Sequence, residues 1–180
     1  MFELTIGIIG RISVGKSSIA KALSQSTGIP NTSFGAFLVK YSNLNNLSID
    51  RKALQDLGEN FINKDPKIFL TMVLESITNS NKIILEGIRH QVILNELKAV
   101  SKKNVLIYID ATAKTRFNRY AGRQKEGDTK LNFIDFLEKD NHFVESEIES
   151  LKSSCDLIIY TEEINITETV KQILHFYNNY

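Results

Sequence analysis

Along this chain, short continuous apolar runs alternate with stretches in which apolar residues return every three or four positions. The runs LTIGII (4–9), KIILE (82–86), VLIYI (105–109) and LIIY (157–160) read as strands covered on both faces, as in a parallel sheet. A weaker fifth run lies near 30–33. Helical spacing follows each of them. Ile19, Ala20 and Leu23 come after the first run; Leu54, Leu57, Phe61 and Ile62 follow Asp50, a suitable N-cap. Asp65-Pro66 opens another helix, a capping acid with proline at the first helical position. Ile68, Phe69, Met72, Val73 and Ile77 then recur at its spacing, and Val92, Ile93, Leu97 and Val100 mark the next. The same spacing predicts one longer helix through Phe133, Phe136, Leu137, Phe143, Val144, Ile148 and Leu151, and a last one through Val170, Ile173, Leu174 and Tyr177. These stripes are read as core-facing. Strand–helix alternation of this kind predicts an α/β fold: a three-layer α/β/α arrangement around a five-stranded parallel sheet.

Composition sharpens that picture only slightly. At 180 residues, 42% hydrophobic and 24% charged, the chain is expected to form a single domain over 1–180. Lys plus Arg number 22 and Asp plus Glu 21, so there is no basic excess to suggest a general nucleic-acid or membrane-surface binder. Cys155 offers no disulfide framework, and His90, His142 and His175 lack zinc-ligand spacing. The opening MFELTIGIIG lacks the basic start of a signal peptide, and no apolar run reaches the ~20 residues of a membrane span. A cytoplasmic protein, monomer or homodimer, is expected. Polar residues interrupt the pattern at 42–50, read as a surface loop, and at 124–132, read as a short lid between helices.

Between the first strand and its helix lies Gly10-Arg11-Ile12-Ser13-Val14-Gly15-Lys16-Ser17, which fits G-x-x-x-x-G-K-[ST] in its proper setting. The glycines let successive amides face inward as an anion nest, and the following helix adds the positive end of its dipole. Gly10, Arg11, Ser13, Val14, Gly15, Lys16, Ser17 and Ser18 are therefore the expected ATP-binding residues. Lys16 is placed to bring a full charge to the β- and γ-phosphates, and the Ser17 hydroxyl to ligate Mg²⁺. The glycine spacing does not suit a dinucleotide fold. Asn63-Lys64-Asp65 puts its acid one residue early for a guanine motif.

The third run ends as Leu85-Glu86-Gly87-Ile88-Arg89. That puts a carboxylate at the sheet end facing the nucleotide, as a second candidate metal ligand, and an arginine fork suited to phosphate. His90 reads as a helix-start residue. Arg116, Arg119 and Arg123 share one face of the helix after Asp110, and were they to swing inward with the 124–132 segment they would reach phosphates.

Together these blocks resemble the nucleoside-monophosphate-kinase-like branch of the P-loop NTPase fold, which includes adenylate kinases, deoxynucleoside monophosphate kinases and dephospho-CoA kinase. The likeness runs through GRISVGKS, DRKALQDLGENFI, LEGIRH, RFNRYAGR, EGDTKLNFIDFLEKD and CDLIIYT. It implies ATP as co-substrate with Mg²⁺, and catalytic roles for Lys16, Arg89, Arg119 and Arg123. Arg119 would stack on the donor base, Arg123 would touch the transferring phosphate, and Arg89 would grip the acceptor's. It further implies phosphoryl transfer to a small phosphorylated acceptor, a nucleoside or deoxynucleoside monophosphate. The alternatives are a dephospho-CoA-kinase-like transferase and a nucleotide-binding regulatory module without activity. The sequence departs from the family at the acceptor side. Gly35 is followed by Ala36, Phe37, Leu38 and Val39, where the family carries an acid and an arginine; Lys40, one place on, is the candidate substitute. Thr161 stands where an asparagine is usual.

Overall fold

Residues 2–9 form β1 (Phe2–Ile9), the middle strand of the sheet, and the other elements pack around it in the order expected from the alternation. The computed structural model describes residues 2–77, 80–122, 131–141 and 143–179. After β1 come α1 (Lys16–Thr27), β2 (Asn31–Ser33), α2 (Phe34–Leu44), α3 (Arg51–Lys64), α4 (Pro66–Glu75), β3 (Lys82–Glu86) and α5 (Gln91–Val100). Then follow β4 (Ser101–Asp110), α6 (Ala113–Gly122), α7 (Phe133–Asp140), α8 (Phe143–Ser150), a 3-10 turn (Leu151–Ser154), β5 (Leu157–Tyr160) and α9 (Ile166–Asn179). All strand pairs are parallel, in the order β2-β3-β1-β4-β5. The chain moves outward from β1 to one edge and then returns to the other side. In such sheets the carboxyl ends of the strands at that reversal are the usual ligand position.

Alternation along the strands divides the core in two. Ile6, Ile8, Ile84, Val105, Ile107 and Ile109 face α1 and α9, meeting Ile19, Leu23, Val170 and Ile173. Ile83, Leu85, Leu106 and Tyr108 face the other way, onto Phe37, Phe69, Leu70, Leu94 and Leu97 from α2, α4 and α5. Each such side chain contributes roughly 1.5–3 kcal/mol by leaving water. Asp50 caps α3 by accepting from the Ala53 amide, and Asp65 caps α4 by accepting from the Ile68 amide with Pro66 behind it. Both starts were legible in the residues themselves.

Several expectations need correction. The long helix predicted from Phe133 to Leu151 is two helices, ended and restarted around Asn141. Phe136 packs with Ile12 and Tyr120, whereas Ile148 and Leu151 enter the large core beside Tyr108; one straight helix cannot face both. The 42–50 loop is shorter than expected, because α2 continues to Leu44 with Ser42 buried. Ile68, Val92 and Phe133, placed in apolar stripes by spacing, are exposed. Residues 123–130, which include Arg123 and most of the expected lid, lie outside the described residues. No described helix is long and apolar enough to cross a membrane.

Where β1 leaves the sheet the backbone turns sharply at Gly10, with φ 147°. A Cβ there would lie 2.3 Å from the Ile109 carbonyl oxygen. Gly10→Ala is therefore expected to destabilise the fold by roughly 1–3 kcal/mol, as read from chemical denaturation. Cys155, partly buried just before β5, has its thiol pushed up to about 12 by burial, helped by the neighbouring Asp156 carboxylate. Only the thiolate reacts, so alkylation at pH 8 should run on the order of a thousandfold slower in the native protein than in denaturant. Equal rates would show that the thiol is not held this way.

Candidate functional site

The loop between β1 and α1 is built from unusual backbone. Gly10 and Gly15 have positive φ, and Ser13 joins them at φ 61°, a left-handed conformation that costs a residue with a side chain about 1–2 kcal/mol. Gly15, at φ 106°, is the N-cap of α1 and gives that helix no side-chain cap, so its first amides keep their donors for a ligand. Lys16 lies across the loop, its Nζ donating to the Gly10 carbonyl at 2.6 Å and the Arg11 carbonyl at 3.0 Å. With those carbonyls turned to the lysine and α1 pointing its positive end at the same place, the loop has the form of an anion-binding nest.

Glu86 ends β3 beside Ile8 in register, which brings its carboxylate to the start of α1. The Ser17 hydroxyl donates to Glu86 Oε2 at 2.9 Å. Residues 69 positions apart thus meet as an adjacent hydroxyl and carboxylate, the pair that the sequence nominated for Mg²⁺. Two hard oxygen donors beside a phosphate nest suit that ion, which takes few protein ligands and draws the rest from phosphates and water. No cluster of three or more His, Cys, Asp or Glu that could hold a metal ion exists among the described residues. Gly87 follows at φ 83°, and Arg89 is half-buried in the turn before α5.

The arginines of α6 separate into different roles. Arg119 donates to the Val14 carbonyl at 3.0 Å and to Thr161 Oγ1 at 2.9 Å, so its guanidinium joins the loop to the turn after β5. Arg116 does not belong to an open phosphate-facing stripe. It is 3% exposed and grips Asp140 with both terminal nitrogens, the Nη2–Oδ2 contact being 2.7 Å. A buried guanidinium needs a carboxylate partner, and Asp140 at the end of α7 supplies it. Arg11 leaves the loop to reach the same carboxylate at 3.3 Å and the Asp140 carbonyl. Its side chain therefore anchors the loop from outside. Lys40 is exposed on α2, beside the exposed Gly35, Ala36 and Val39.

Sequence reasoning missed Asp140 as an individual residue: it stood inside a recognised segment, but nothing in its spacing pairs it with Arg116. It also passed over the setting of His90, which starts α5 as expected. The imidazole lies between Glu147 at 3.1 Å and Glu59 at 3.9 Å. Asp110, at the end of β4, accepts from Lys152 at 2.6 Å and from the Ala111 amide at 2.8 Å. That contact, above all, holds the Lys152 ammonium above its ordinary range. Tyr108 behind it is likewise raised, by burial first and then by its bond to Glu149.

Residues 6–148 match the model of an AAA-domain family. A UPF0200 protein of Methanococcus vannielii is 31% identical over 170 residues, covering 88% of this chain and 86% of its own. Another, from Pyrobaculum aerophilum, is 26% identical over 168 residues and 93% of each chain. Among solved structures, shikimate kinase from Aquifex aeolicus superposes with a TM-score of 0.60 at 21% identity over 97% of this chain and 96% of its own. A gluconokinase from Sinorhizobium meliloti gives 0.62 at 12% over 97% and 91%. These likenesses show a P-loop kinase fold and do not single out the nucleoside-monophosphate branch. The match over 6–148 places the chain in that AAA-domain family, and its 31% identity to the Methanococcus vannielii protein over 88% of its length makes it a member of the UPF0200 family, on a nucleotide-binding α/β/α fold.

Proposed function

We propose that the protein transfers the γ-phosphoryl group of ATP to a small acceptor, with a nucleoside or deoxynucleoside monophosphate as the first candidate. The observation that carries this reading is the meeting of Ser17 and Glu86, 2.9 Å apart, beside the Lys16 loop. A simple anion site needs no such pair, whereas phosphoryl transfer uses it.

In this reading the loop amides and Lys16 hold the triphosphate, and Ser17 and Glu86 would hold Mg²⁺. The ion supplies charge neutralisation across the β- and γ-phosphates. Arg119, already on the loop and on Thr161, offers the flat face of its guanidinium to the base, while Arg123 is assigned to the transferring group. Arg89, three residues beyond Glu86, is assigned to the acceptor, with Lys40 as an auxiliary cation. An acceptor phosphate oxygen attacks the γ-phosphorus in line, the bond to the β–γ bridging oxygen breaks, and ADP leaves. Such a nucleophile needs no strong base.

A hydroxyl acceptor is the second reading. What favours it is the surface of α2, where Ala36 and Val39 are exposed and no arginine accompanies Lys40. The superposed structures named for shikimate and gluconate point the same way. Glu86 would then take the hydroxyl proton.

Purified protein with Mg·ATP should be offered each common NMP and dNMP, dephospho-CoA, shikimate and gluconate, and ADP formation followed. Acceptor-stimulated turnover is expected, falling on the order of a hundredfold or more in Lys16→Ala. With a monophosphate acceptor, Arg89→Ala should raise KM and leave ATP affinity unchanged. ATP binding with no stimulated turnover from any acceptor would reject the enzyme and leave a nucleotide-binding module.

A further inference from the structure

The phosphate loop holds one residue whose conformation its own chemistry does not explain. Ser13 sits at φ 61°, yet its hydroxyl is buried and makes no hydrogen bond. Serine in a left-handed turn is normally supported by a bond from its own side chain to nearby backbone. Here the support comes from outside. Arg116 Nη1 donates to the carbonyl of Ile12 at 3.4 Å, while its Nε donates to the Ala111 carbonyl at 3.0 Å. The Ile12 side chain is packed against Tyr120 of α6 and Phe136 of α7. Arg11, one residue earlier, is tied to Asp140. Two consecutive loop residues are therefore fixed from behind by one buried pair, Arg116 and Asp140.

The geometry of the peptide unit gives that fixation a direction. In a trans peptide the carbonyl and the following N–H point opposite ways. A guanidinium on the Ile12 carbonyl, on the outer side of the loop, turns the Ser13 N–H toward the inner side. The same holds two residues later, where Arg119 on the Val14 carbonyl turns the Gly15 N–H inward. Arg116 carries its charge where it cannot touch a ligand, since it is buried against Asp140 and stacked at 5.9 Å on Phe136.

We propose that Arg116, oriented by Asp140, is a positioning residue for the phosphate nest: it sets the Ile12–Ser13 peptide so that the Ser13 amide binds polyphosphate. The proposal rests on the reading of this loop as a nucleotide site and adds a residue that acts from its rear. Asp140 acts one step further back, by holding both Arg116 and Arg11. The pair is thereby a determinant of affinity for phosphate groups and is indifferent to the nucleoside.

Calorimetric titration of the full chain with ADP, adenosine and inorganic tripolyphosphate tests this directly. Asp140→Asn should weaken ADP and tripolyphosphate by about tenfold or more, because charge-assisted bonds are lost, while leaving adenosine within about twofold. Arg116→Lys, which keeps the charge but not the two-nitrogen grip, should do the same; it serves as the reading if Asp140→Asn fails to fold. A lower melting temperature with an unchanged ratio of ADP to adenosine affinity would overturn the proposal and leave the pair a packing element. If the unaltered protein itself shows no preference for ADP over adenosine, the nucleotide reading of the loop fails, and the proposal with it.

Discussion

At Gly10 the backbone of the first strand runs against the carbonyl of Ile109, too close for any side chain, and the rest of the site is arranged around that contact. It requires β1 and β4 to be paired up to Ile9 and Tyr108, so the sheet has to be complete at its centre before the loop takes shape. From there the chain folds back over the end of its own strand and enters α1 without a side-chain cap. The uncapped amides and the carbonyls drawn toward Lys16 together concentrate positive potential on a few ångströms of backbone. A chain with a net charge of +1 thus gathers Lys16, Arg119 and oriented peptide dipoles at one loop.

Much of this was readable in the residues. Apolar runs bounded by turn residues gave four strands with ends displaced by at most a few positions, because strands covered on both faces carry little else. Asp50 and Asp65 announced their helices, since an N-cap is a local event between residues three apart. The loop and Glu86 were legible because a spaced motif and a strand-ending acid each have few other uses. Arg116 was misjudged for a definite reason. Helical spacing reports which residues share a face but not what that face meets, and Asp140 lies on a helix whose placement depends on the tertiary fold. The split between α7 and α8 escaped for the same cause: apolar spacing continued across Asn141 although the two halves serve different clusters.

The acceptor side contrasts with the donor side. On the donor side, three nominated residues are tied by their side chains: Lys16 to the loop, Ser17 to β3, Arg119 to the turn after β5. On α2, Ala36 and Val39 stand where the family carries an acid and an arginine, and the aromatic residues serve packing, with Phe37 inserted among Tyr41, Phe61 and Phe69. That packing ties α2 to α3 and α4, and it leaves Gly35, Ala36, Val39 and Lys40 exposed.

The bond from Arg119 to Val14 and Thr161 spans nearly the whole chain, from the turn after the first strand to the turn after the last. A nascent chain emerging from the ribosome would have every residue of the loop long before it had Thr161. Until β5 docks, Arg119 lacks half of its partners and the Val14 carbonyl is held less firmly. On the proposed reading, competence to bind a triphosphate is thereby linked to completion of the sheet, so a half-made or edge-frayed chain carries the motif without a finished nest.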